Sequence, residues 1–290
     1  SFADALSEQE RWALANFIKS LQHQLTNHQV LRALEIEGKI SQDPGEANWL
    51  AAESMDVRLT GQVVAAPRWQ NPSIELVTVR ALYNLEEIAF LIEWDDPFKD
   101  ELHQSGIEFD PQEISRMGAF NSYVAANDVV PRQLETFRDA IALQFPVKLP
   151  EGTKKPHFFR GDSSNPVHLW QWRSDGVENS GQAVQESNAR GWKQPAKVQP
   201  GENQQVDAVA SWNQGRWSVI MRRPLLTDDR NDIQFVKGRF IPLALNAWDG
   251  SNGEHGLIMS LSTWHSVILE APVPIKIYLY TLLAAVASGA

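Results

Sequence analysis

The chain has 290 residues, 43% hydrophobic and 21% charged, with a formal net charge of −10: one large globular domain, or one domain with appendages. The negative charge argues against a nucleic-acid partner, because phosphate contacts need a basic surface, and it suits docking to a basic protein. Cysteine is absent, which removes disulfides, thiol nucleophiles, iron–sulfur ligation and thioether-linked haem from these residues.

Ser7 is followed three residues later by Glu10, a capping-box pattern, and Trp12, Leu14, Ala15, Ile18 and Leu21 recur at helical spacing. This predicts an amphipathic helix within residues 1–25. A linker follows from His23 to Asn48, with some helical or strand content around Val30 to Ile36. Residues 45–69 hold short strands broken by turns. Ile74–Leu82 and Glu87–Glu93 are apolar and β-branched, and Tyr83 to Glu86 separate them, which predicts a β-hairpin. Asp95, Asp96 and Pro97 end its second strand. Residues 98–135 are polar and irregular, a surface excursion. Strands are expected again at Asp139–Phe145, Pro166–Arg173, Trp217–Arg222, Phe240–Trp248 and Ser260–Leu269. Between them Ser174–Gln205, rich in Gly, Asn, Gln and Ser, reads as a long solvated loop.

With 11 Trp, 17 Gly and 16 Pro, this pattern predicts a mainly β chain, a sandwich or barrel rather than a helical bundle. Residues 274–290 turn apolar, with Tyr278 and Tyr280 ahead of Leu282 and Leu283. They read as a C-terminal apolar helix, the start of a membrane anchor or a helix packed on the domain. Alone the run is short of the roughly 20 apolar residues that cross a bilayer. No Ser-His-Asp order, paired-carboxylate pattern or phosphate-binding glycine loop stands out, so catalysis by this chain is not expected. Trp170, Trp172, Trp217, Trp248 and Trp264 read as core. Asp249 to Glu254 looks like a fragment of a calcium loop, but it lacks the full spaced ligand set and reads as a tight turn, as do Asp95 and Asp96 before Pro97.

Several blocks carry a resemblance: Leu59 to Val63 with Pro67-Arg68-Trp69, Val77 to Asn84 with Glu93 to Pro97, Asp139 to Pro146, Asn246 to Glu254, and Ser262-Thr263-Trp264. Together they resemble the haem b (gamma) subunit of the ethylbenzene dehydrogenase type, shared by type II DMSO reductase-like molybdoenzymes and nitrite oxidoreductases. The resemblance implies an immunoglobulin-like antiparallel β-sandwich over residues 45–270 that holds one non-covalent haem b at one end, with a methionine and a lysine as axial ligands. Leu6 to Leu21 resembles the last helix of a class-I cytochrome c, implying a haem c domain upstream.

The chain departs from that family at both ligand positions. Arg160, in Pro156 to Asp162, occupies the methionine position, and a guanidinium has no lone pair for a metal. Met259 falls where the lysine belongs, and methionine is a sound haem ligand. With those departures the expected pair becomes methionine–histidine, Met259 with His157 or else with His168 in the following strand. Arg160 and His255 are read as partners for haem propionates. The plainer readings are a core filler for Met259, a surface turn residue for His157 and a solvated charge for Arg160. Of the other histidines among the seven, His23 and His28 lie in the N-terminal appendage and are poor candidates, His103 lies in the irregular excursion, and His265 sits beside Trp264 near the same edge.

The implied function is electron transfer by a b-type haem in a larger respiratory complex on the extracytoplasmic side of a membrane. The amphipathic N-terminal helix and the apolar tail favour a membrane-attached protein linked to a quinol-oxidising cytochrome b complex, with a soluble cytochrome as acceptor. The alternatives are the haem b gamma subunit of a molybdenum enzyme and a haem-free structural or binding sandwich.

Overall fold

A computed structural model describes residues 29–101, 104–107, 134–151, 154–176 and 183–270. The expected N-terminal helix (1–25), the C-terminal apolar segment (274–290) and most of the 98–135 excursion lie outside these residues. Among the described residues no helix is long and apolar enough to cross a membrane.

The chain folds as two packed antiparallel layers. One contains β2 (Ser54–Arg58), β4 (Leu76–Tyr83), β5 (Glu87–Asp95), β13 (Arg216–Pro224) and β12 (Asp207–Asn213), in that spatial order. The other runs β11 (Lys197–Val198), β10 (Val184–Ala189), β9 (Val167–Arg173), β8 (Ala140–Pro146) and β14 (Phe240–Trp248), with β15 (Ser260–Leu261) and β3 (Thr60–Gly61) beyond β14. The layers join along one margin. The first half of β14 pairs with β16 (His265–Leu269), β16 pairs in parallel with β1 (Val30–Glu35), and the end of β1 passes onto β4. A separate ribbon pairs β6 (Gln104–Ile107) with β7 (Leu134–Thr136).

Alternation of side chains along each strand selects the inward face. Val77, Val79, Ala81 and Tyr83 of β4 and Ile88, Phe90, Ile92 and Trp94 of β5 meet Ile141, Leu143 and Phe145 of β8, Trp170 and Trp172 of β9, and Ile241, Leu243 and Leu245 of β14. Aromatic rings bridge the layers: Phe90 lies 5.8 Å from Phe145, and Trp94 lies 6.1 Å from Trp172, edge to face. Such tilted pairs add about 0.5–1.5 kcal/mol each beyond their burial.

β5 is apolar on both faces because both are covered. Its outer Ala89 and Leu91, with Ile220 of β13, pack beneath Ile36, Ile40 and Trp49. Trp49 belongs to the short helix α1 (Ala47–Ala51), whose N-cap Glu46 accepts from the Asn48 amide. Strands alone were expected there.

The expected strands are present, most with ends shifted by one or two residues. Ser260–Leu269 is two strands rather than one, broken where the Ser262 hydroxyl accepts from the Leu245 amide. The expected loop Ser174–Gln205 contains β10 and β11. β10 reads Val-Gln-Glu-Ser-Asn-Ala, and its inward Glu186 is buried in a charge cluster rather than among apolar residues, so no hydrophobic alternation marks it.

Candidate functional site

The outer face of β8 and β14 carries an apolar patch of Ala140, Ala142, Phe159, Trp248, Met259 and Leu261. The two small alanines leave room, and the turn Pro156 to Asp162 folds over them. Gln144, fully buried on the same face, fixes that turn: its amide donates to the Phe158 carbonyl (2.7 Å) and its carbonyl accepts from the Arg160 amide (3.1 Å). The turn needs these bonds because Arg160 has φ 58°, a left-handed conformation disfavoured for a residue with a Cβ. Gly161 follows at φ 70°, where an added Cβ would lie 2.7 Å from the Asn165 carbonyl.

Two buried polar side chains position the other wall. Gln62 donates to the carbonyls of Ala65, Pro67 and Leu257, and its backbone amide donates to the Met259 carbonyl at 3.0 Å. Glu254 accepts from the Trp69 indole (2.9 Å) and the Asn252 amide (3.0 Å). Burial pushes its carboxyl up to about 7, against the lowering effect of those bonds.

Met259 is fully buried in the apolar patch. Arg160 lines a cavity of about 190 Å³ on the same face, with Ala142, Leu169, Gln171, Asn246 and Trp248 among its neighbours. The Arg160 guanidinium donates to the Gly256 carbonyl (3.4 Å), as does the Trp248 indole (3.2 Å). Burial lowers the Arg160 pKa. His157 is half-buried beside this patch, stacked on Phe158 (4.7 Å) and 5.2 Å from Trp192. Its Nδ1 accepts from the Phe159 amide at 3.1 Å, so in the neutral ring Nε2 carries the proton. His255 is exposed and stacks on Phe137 at 3.9 Å, its Nδ1 2.9 Å from the Gly253 carbonyl.

The structure thus brings Met259, Arg160 and His157 to one face, with His255 on the adjoining turn, and separates His168 from them. His168 lies opposite Phe145 in the ladder and points between the layers, whereas Met259 packs on the outer face. Its Nδ1 accepts from the Ile233 amide (3.3 Å), and its Nε2 lies 3.0 Å from Glu186 and 3.4 Å from Asp232. The sheet itself keeps His168 from sharing an iron with Met259. Gln144, Phe159 and Trp192 were not singled out in the sequence; a glutamine inside the apolar run of β8 was the available signal.

Fold and site define a β-sandwich domain whose candidate site is an aromatic-walled patch outside one layer. The chain belongs to the ethylbenzene dehydrogenase family, whose model matches residues 46–197 and 181–260. A relative in Haloferax mediterranei named as a respiratory nitrate reductase heme subunit is 25% identical over 224 residues, covering 77% of this chain and 67% of that protein. The chlorate reductase gamma subunit of Ideonella dechloratans is 29% identical over 127 residues, covering 44% of this chain and 48% of that protein. The chain thus spans about two thirds of the first relative and half of the second. A family 9 carbohydrate binding module from Caldicellulosiruptor kristjanssonii, solved with glucose, covers 84% of this chain and 97% of its own length at 6% identity and a TM-score of 0.42, a likeness that carries no functional information.

Proposed function

We propose that this chain is a non-catalytic electron-transfer subunit carrying a b-type haem in a respiratory reductase complex of the molybdenum type. The observation that carries the reading is membership of the ethylbenzene dehydrogenase family across the sandwich, together with relatives named as a heme subunit and a gamma subunit. When bound, a haem supplies a one-electron carrier. Attachment to a membrane on its extracytoplasmic side, with a quinol-oxidising cytochrome b complex as partner, is the alternative expected from the sequence, and the relatives named as reductase subunits favour the molybdenum-type reading over it.

The residues of the outer patch fit such a group only in part. Met259 offers a thioether, and Phe158, Trp192 and Trp248 offer aromatic walls. Three features do not fit. The cavity, at about 190 Å³, is below the roughly 300–1,000 Å³ of ordinary cofactor pockets. Arg160 occupies part of its wall and has no lone pair for a metal. His157 presents a protonated Nε2 as long as its Nδ1 accepts from Phe159. Ligation through His157 Nε2 would therefore need the Phe159 bond to break, and the cavity beside Arg160 is too small for a haem as it stands. The Arg160 arrangement favours a second reading, a haem-free sandwich retained for assembly.

Oxidised and reduced absorption spectra, with a pyridine haemochrome assay, separate the two. The first reading expects one haem b per chain. Met259→Leu keeps the volume, costs about 1.5 kcal/mol or less, and removes the sulfur. A shifted spectrum in that variant assigns Met259 as a ligand; an unchanged one leaves the function and discards the ligand. A complex without haem b attributable to this chain overturns the first reading.

A further inference from the structure

We propose that Asp96, Asp139 and Asp249 form a site for one hard divalent cation of the calcium class, which ties together one end of the sandwich. Asp96 follows β5, Asp139 precedes β8 and Asp249 follows β14, so the fold brings three separate strand ends to one point. One carboxylate oxygen from each lies within 4.8 Å of the others. Oxygens bound to Ca²⁺ sit about 2.3–2.6 Å from the ion, so opposite ligands are about 4.6–5.2 Å apart and three oxygens at this spacing fit around one centre.

Burial makes this more than an acidic patch. The three residues are 1%, 0% and 5% exposed. Asp96 Oδ1 accepts from the Phe98 amide, but its Oδ2 is buried with no donor. The charges acting on it are those of Asp139, Asp249 and Asp100, all negative. Asp100, half-buried alongside, also has a donor-less Oδ2. An unpaired buried acceptor costs stability, and several like charges cost more, unless a cation is present. Burial and that repulsion push Asp96 up to about 8.

The second buried cluster shows the contrast. His168, Glu186 and Asp232 likewise bring one ligand atom each within 4.8 Å of the others, but there the Arg223 guanidinium lies 3.4 Å from Asp232 and 3.9 Å from Glu186. That cluster contains its own cation. Among the described residues, the ion pairs of the sandwich do not reach Asp96, Asp139 or Asp249.

The ligand set identifies the ion class. Carboxylates without thiolate or imidazole select hard cations over zinc or copper. Near-complete burial favours Ca²⁺, which accepts an all-protein shell, over Mg²⁺, which keeps its waters. Gly250 locks the arrangement: its amide donates to Asp139 (2.9 Å), and a Cβ there would lie 2.2 Å from the Phe137 carbonyl and 2.8 Å from Asp100. The turn at Asp249 is therefore a true ligand-bearing turn whose partners come from distant strands, not from its own sequence.

The test uses the full chain and reads metal and melting, so its outcome is independent of haem. Metal content is measured by mass spectrometry after purification without chelator. Ca²⁺ is then titrated calorimetrically into EGTA-stripped protein, and melting is followed with EGTA and with CaCl₂. The expected results are one Ca²⁺ per chain and a melting temperature that falls by about 5 °C or more in EGTA and recovers with Ca²⁺. Asp96→Asn removes one buried charge with almost no change of shape. It is expected to melt above the stripped wild type, to bind Ca²⁺ at least tenfold more weakly, and to lose its response to EGTA. Wild-type protein that contains no divalent ion and melts alike in EGTA and CaCl₂ overturns the proposal, as does stoichiometric zinc or copper at this site.

Discussion

Arg223→Met tests whether the buried charge cluster between the layers is held by its single guanidinium. Arg223 is 1% exposed and lies over Trp170 (5.1 Å) and Phe235 (5.4 Å). It donates to the carbonyls of Pro224 and Ile233 and faces Asp232 and Glu186. Burial lowers its pKa, and the two carboxylates oppose that shift. Methionine fills the aliphatic volume and leaves the two buried acids with His168 and only neutral donors, among them Gln199 and Thr227 to Asp232 and the Val206 amide to Glu186. Removing one member of a buried ion cluster costs about 3–5 kcal/mol, mostly the penalty of the charges left behind. Neutralising those charges in the triple variant Arg223→Met, Glu186→Gln, Asp232→Asn is expected to recover at least half of the loss. The assay is urea unfolding followed by tryptophan fluorescence, with Trp170 as a local reporter. A loss below about 1 kcal/mol in the single variant, or a triple variant no more stable than the single one, refutes the reasoning.

Gln144→Leu keeps the bulk of the side chain but leaves the Phe158 carbonyl and the Arg160 amide unpaired beneath the turn. A loss of about 2–3 kcal/mol is expected in the same unfolding assay, with Trp192 emission changing early. Arg160→Met puts a thioether at the position where the resemblance implies one and removes the guanidinium from the cavity wall. Haem titration should show at least tenfold tighter binding than the parent chain, with an altered reduced spectrum; equal affinity in the two proteins argues against the outer patch as the haem site.

The hairpin of β4 and β5 and the full length of β14 were legible because their inward and outward positions follow local chemistry. In β5 both faces are covered, so the strand reads as one apolar run. β10 was illegible for the opposite reason. Its buried Glu186 is stabilised by Arg223 on β13 and accepts from the Val206 amide, and no local pattern reveals partners that remote. β12 is an edge strand, largely exposed, with little apolar periodicity to mark it. Period-two alternation in β9 puts His168 on the face opposite to Val167 and Leu169, but only the packing shows which face meets the second layer. The carboxylates of Asp96 and Asp249 each looked like turn residues, since each does cap a local turn. Their convergence with Asp139 follows from topology alone.

The segment from Asp249 to Met259 links the two proposals physically. At its start Asp249 and the Gly250 amide face the acidic cluster. In its middle Glu254 is anchored by Trp69 and Asn252. At its end the Met259 carbonyl accepts from Gln62, so the backbone rather than the thioether fixes where Met259 lies. A volume-conserving change at Met259 should therefore leave the path intact and alter only what its sulfur does. Removing the cation should instead loosen the start of the segment while the Gln62 and Glu254 anchors hold its end. The two perturbations act on one stretch of chain through different bonds, and a variant pair that combined their effects additively would show that the outer patch and the acidic end are energetically separate.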